Sequence, residues 1–65
     1  MIHTAIRCPD DTVLVFDEEG KFLPGFQGDY ENVKQTIFNN ARSDTVFSHY
    51  FDTESVLVYT PREAW

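Results

Sequence analysis

The sequence predicts an α+β fold: a small, mostly antiparallel sheet of about five short strands with one amphipathic helix packed on one face. Three observations lead there. Short β-branched and aromatic stretches bounded by turn residues occur toward both ends of the chain. A single helical periodicity lies between them, giving the chain order β-β-β-α-β-β. With 65 residues, the chain has room for one core and one domain, spanning 1–65, with 61–65 as a tail.

Ile2–Arg7 is rich in β-branched residues and reads as the first strand, and Cys8-Pro9-Asp10-Asp11 is the connection back. The clearest local signal is Phe16-Asp17-Glu18-Glu19-Gly20-Lys21-Phe22. A three-residue hairpin loop is a type I turn followed by a left-handed residue, and Gly20 stands where that residue must be. This registration sets Asp17 opposite Lys21 and Phe16 opposite Phe22, with strands at about 13–17 and 21–23. In Leu23-Pro24-Gly25-Phe26, Pro and Gly occupy the two central places of a type II turn.

The helix is expected from Asp29, as N-cap, to about Arg42. Tyr30, Val33, Ile37 and Ala41 fall on one stripe, which Phe38 widens, and Lys34 lies within the arc with its stem along the apolar surface. Glu31, Asn32, Gln35 and Asn39 make the opposite, polar face. Thr45–Phe51 and Ser55–Thr60, separated by Asp52-Thr53-Glu54, read as a second hairpin. The first of these segments has an alternative as a short helix capped by Ser43 or Asp44, with Val46 and Tyr50 on one face. Pro61 closes the last strand and leaves the tail Arg62-Glu63-Ala64-Trp65.

Two segments are apolar without alternation, Val13-Leu14-Val15-Phe16 and Val56-Leu57-Val58-Tyr59. Such strands are expected in the middle of a sheet, covered on both faces. One helix covers one face only. The other is expected to be closed by the 24–28 loop with Phe26 and by the tail with Trp65, or else by a second copy in a twofold dimer.

Composition excludes several classes of function. Eleven Asp and Glu against five scattered Lys and Arg give a net charge of −6, so no basic footprint for nucleic acid exists. The N-terminal stretch lacks the charged start and apolar run of a signal peptide, and the longest apolar runs are far too short to span a membrane. A lone cysteine fits a reducing cytoplasm and forms no internal disulfide. Nucleic acid and membrane are therefore not expected as partners.

Few groups suggest chemistry. Cys8 has Arg7 beside it but no second cysteine and no base on its own strand face, and Pro9 makes it a turn residue. His3 and His49 have no spacing that promises a shared metal. The acids of Asp10-Asp11, Asp17-Glu18-Glu19 and Asp52/Glu54 sit in turns, and the calcium-loop order is missing. Gly20, Gly25 and Gly28 are isolated, so there is no phosphate loop. No catalytic residue, metal or cofactor is expected, and the chain reads as a non-enzyme.

What remains is aromatic. Phe22, Phe26, Tyr59 and Trp65 are the candidates for protein interaction, because aromatic residues near turns and termini serve as interface anchors. The function expected is a small cytoplasmic interaction or regulatory module that binds a protein partner or itself, as a homodimer. The alternative is an acidic decoy imitating nucleic acid and occupying a basic protein surface. A minimal metal protein or enzyme built on His3, Cys8 or His49 ranks last.

Overall fold

The computed structural model describes residues Met1–Trp65. Its elements are β1 (Ile2–Arg7), β2 (Thr12–Phe16), β3 (Gly28–Asp29), α1 (Tyr30–Asn40), β4 (Ala41–Phe51) and β5 (Val56–Tyr59). They form one five-stranded sheet in the order β3-β2-β1-β4-β5 with the helix across one face, the α+β architecture expected. Every neighbouring pair is antiparallel except β1 and β4, which run parallel. The topology requires this. The chain goes outward through β2 to β3, then α1 carries it back over the sheet to the far side of β1.

Turn chemistry explains the hairpins. Asp17 N–H donates to Lys21 O and Gly20 N–H to Asp17 O, with Gly20 left-handed at φ 81°, so the predicted turn forms and Phe16 bridges Phe22. The same pattern recurs where no glycine announces it. Cys8 N–H donates to Thr12 O, Asp11 N–H donates to Cys8 O, and Asp11 takes the left-handed place at φ 68°. Aspartate tolerates that conformation better than most side chains. At the β4–β5 connection, Ser55 is the left-handed residue (φ 53°), so the strand starts at Val56 and the loop is Asp52–Ser55.

Three expectations are corrected. The third strand is Gly28–Asp29; 21–23 contributes only the bridge at Phe22. Pro24–Phe26 forms a 3-10 turn, because Gly25 does not take the positive φ that a type II turn demands. The helix stops at Asn40 and passes directly into β4, with Asp29 at its N-cap making no side-chain bond. The segment 45–51 is the strand expected, and its helical alternative is ruled out because it pairs on both sides, with β1 and β5.

The core lies between sheet and helix: Ile2, Ala5, Val13, Val15, Tyr30, Ile37, Phe47 and Trp65. Val13 and Val15 alternate inward from β2, and Ala5 leaves space for the helix above the central strand. The register between β1 and β4 slips between Ile2 and Thr4. Thr45 satisfies the buried main chain there: its hydroxyl donates to Ile2 O at 2.9 Å and accepts from Arg42 N–H at 2.8 Å.

Acid should loosen the turns. Asp17 Oδ1 accepts from Lys21 N–H (2.8 Å) and Glu19 N–H (2.9 Å), and chiefly the Lys21 bond holds its carboxyl below the usual range. The Thr12 N–H does the same for Asp10. A depressed folded-state pKa gives stability that is present above the unfolded pKa and lost as pH falls through the folded one. Urea melts from neutrality to about pH 3 should therefore show a shallower acid loss in the Asp10→Asn/Asp17→Asn variant than in the parent. Asparagine keeps the acceptor, so the neutral-pH midpoint should be nearly unchanged. Equal acid slopes would refute the assignment.

Candidate functional site

Alternation along the strands sorts the apolar residues into two layers. Val13, Val15, Ala5 and Phe47 face the helix. Their neighbours face the other way. Ile6 pairs with Leu14 on one side and Ser48 on the other, Thr4 pairs with Phe16 and Val46, and Tyr50 pairs with Leu57. Ile6, Cys8, Leu14, Phe16, Tyr50 and Leu57 line a wholly apolar depression of about 310 Å³ on this face.

Neither of the expected covers lies over it. Phe26 packs against the core on the helix side, next to Met1, Ile2 and Leu23. Trp65, only 3% exposed, lies inside the core. Its ring meets Tyr30, Phe38 and Phe47 at centroid distances of 5.4, 5.8 and 4.9 Å, and its indole N–H donates to Ser48 O at 2.8 Å. Arg7 clamps the tail: Nη1 donates to Trp65 O at 2.7 Å while the guanidinium stacks 3.5 Å from the Tyr30 ring centroid. The expectation that loop and tail close the second face is therefore overturned; both close the first.

The four candidate aromatics divide accordingly. Phe26 and Trp65 belong to the core side. Phe22 and Tyr59 belong to the open side: Phe22 bridges Phe16, with ring centroids 5.8 Å apart, and Tyr59 pairs with Ser48. They stand at opposite rims of the open face, with Phe22 41% and Tyr59 80% exposed. The residues between them, Ile6, Leu14, Phe16, Tyr50 and Leu57, escaped the sequence reading as a site. The unbroken apolar stretches signalled that both faces mattered, but not which face the helix would take.

The position of β5 is a further correction. Val56–Tyr59 is an edge strand, bonded only to β4, and all four residues are exposed. Of the two unbroken apolar stretches, only β2 is interior.

Of the chemistry-bearing groups, His3 sits apart, while Cys8 and His49 line one hollow. Cys8 touches the open face and a second hollow with Arg7, Asp11 and His49. Burial first, then the charges of Asp10 and Asp52, push its thiol pKa up, the reverse of what activates a thiolate. His49 lies beside Arg7, four residues along β1 from His3, a separation of about 13 Å at ~3.3 Å per residue. No group of three or more His, Cys, Asp or Glu is placed to hold a metal ion.

Charge is arranged more sharply than the sequence suggests. The β1–β2 turn, the β3–α1 junction and the β4–β5 loop meet at one end of the sheet, which gathers Asp10, Asp11, Asp29, Glu31, Asp52 and Glu54. The Arg7–Asp11 pair at 3.0 Å is the one ion pair at that end. No helix is long and apolar enough to cross a membrane. Comparison with protein-family models, curated proteins and solved structures gives no match, so the open apolar face and the acidic end carry the functional reading by themselves.

Proposed function

We propose that this chain is a small, non-enzymatic, cytoplasmic protein-interaction module that binds a protein partner with the helix-free face of its sheet. The observation that carries the proposal is the continuous apolar surface from Phe22 and Phe16 through Leu14, Ile6 and Tyr50 to Leu57 and Tyr59, which no segment of the chain covers. Leaving such a surface in water forfeits roughly 25 cal/mol for each Å² that a partner would remove from it. Aromatic rims around an aliphatic centre match the composition of interface cores.

A photo-crosslinking residue at Leu57 should capture a partner protein, and one at Gln35, on the polar face of α1, should not. Capture should persist in high salt, because an apolar contact is not screened. Leu14→Asp should abolish it, and Leu57→Asp, at a half-exposed site, should abolish capture from a photo-crosslinking residue at Tyr59 without unfolding the protein. Equal capture from both positions would end this reading.

The acidic end supports a second one, a decoy for a basic protein surface. A partner held there should cross-link near Asp10 and Asp52 and should dissociate as salt is raised. Salt-resistant binding would count against the decoy.

A further inference from the structure

The two edges of the sheet are finished in opposite ways. On one side β3 is two residues long, and the chain beside β2 is interrupted by Pro24 and its 3-10 turn, so little strand is left to pair. On the other side β5 presents Val56-Leu57-Val58-Tyr59 with no charge, proline or bulge within it. These residues are 38, 54, 45 and 80% exposed. Native edges usually carry protection of one of those kinds, and this one carries none.

Its main-chain groups can be assigned. Thr60 N–H donates to Phe47 O at 2.9 Å, and bonded pairs alternate along an antiparallel ladder. Val58 and Val56 therefore bond to β4, and the N–H and C=O groups of Leu57 and Tyr59 point out from the sheet.

We propose that β5 pairs with β5 of a second copy of this chain, antiparallel about a twofold axis at Val58. The proposal rests on the reading of the chain as an interaction module and adds a second contact, through the sheet edge, that leaves the open face free. An axis perpendicular to the sheet keeps both helices on one side and joins the two open faces on the other. Leu57 then exchanges hydrogen bonds with the partner's Tyr59, and Tyr59 with the partner's Leu57. A shift in one direction would use Ser55, which is left-handed, and a shift in the other would use Pro61, which has no N–H. The central register alone satisfies every outward group within the strand.

Continued past the strand ends, the same register brings Glu54, in the loop before β5, level with the partner's Arg62, in the turn after it; to pair with it Arg62 exchanges its bond to Arg42 O for the carboxylate, and symmetry offers the contact twice. That order of acid before the strand and base after it favours a second copy over an unrelated strand. A pairing of so short an edge is small, so the dimer belongs to the weak, micromolar class.

Sedimentation velocity on the full chain should show a mass that rises reversibly from one chain to two across the micromolar range. Tyr59→Pro removes an outward N–H at an edge position where proline is tolerated, and should weaken the dimer at least about tenfold. Tyr59→Thr, a strand former that keeps the N–H, should weaken it much less. Glu54→Arg and Arg62→Glu should each weaken it, and the double variant should recover. Arg62 also lies over the Phe47 ring and bonds to Arg42 O, so recovery in the double variant is the decisive reading. A mass of one chain at every concentration overturns the pairing, as does a dimer equally tight in Tyr59→Pro. Either result leaves the face reading intact, since cross-linking in the parent chain from Leu14, on the open face but three strands away from β5, tests it separately.

Discussion

Trp65→Ala is expected to leave most of the chain unfolded at room temperature. Truncating a buried tryptophan costs about 3–5 kcal/mol. A domain of this length has about 3–10 kcal/mol in total, at ~0.05–0.15 kcal/mol per residue. The loss is at the upper end of its range for a structural reason. Trp65 touches Tyr30 and Phe38 from the helix and Phe47 from the sheet, so it joins the two layers directly. Its removal also leaves Ser48 O without its indole donor. Trp65→Phe separates these contributions, because it keeps most of the apolar area and loses only the N–H. That variant should fold with a midpoint between those of the parent and the alanine variant in urea melts followed by far-ultraviolet circular dichroism. An alanine variant that melts with the parent would show that the tail is not docked in the core.

The contrast between Trp65 and Tyr59 shows where sequence reasoning reaches its limit. Both are aromatic residues near the end of the sequence, and both read as candidates for protein interaction. One is the most connected ring of the core, and the other is the most exposed large apolar residue of the chain. Their difference lies in the 3-10 turn Arg62–Ala64, which folds the tail into the core between helix and sheet and has no glycine or capping signature to announce it. Local signals were legible: Gly20 in its turn, the stripe through Tyr30, Val33 and Ile37, and the β-branched strands all formed as their chemistry requires. Long-range placement was not. Hydrophobicity alone gave Val56–Tyr59 the look of an interior strand, because an unbroken apolar stretch does not say how many strands flank it, and the fold leaves this one at an edge. The Asp11 turn was hidden for the opposite reason, since aspartate only occasionally takes the left-handed place that glycine advertises.

Ile37 offers the sharpest measurement of how the layers depend on one another. It is the one residue of α1 with no exposed surface, and it sits over Ala5, Val13 and Val15 in the core. A helix of 11 residues is marginal by itself in water, so α1 persists because that side is buried. Ile37→Val should cost about 0.5–1.5 kcal/mol and Ile37→Ala about 2–5 kcal/mol. Thr36→Ala, one position away on the exposed side, should stay within about 0.5 kcal/mol of the parent. The consequence should extend beyond the helix. β1 and β4 are parallel and far apart in sequence, so no hairpin holds them together and α1 is the connection that brings them side by side. Hydrogen exchange in Ile37→Ala should therefore lose protection in α1, β1 and β4 by the same factor, as one cooperative unit. The two hairpins are local and should set only the residual protection that survives. Uniform loss across β1, β4 and the helix would mean that the sheet exists only while the helix is docked. Protection that persisted in β1 and β4 would mean that the strands hold their parallel register without it.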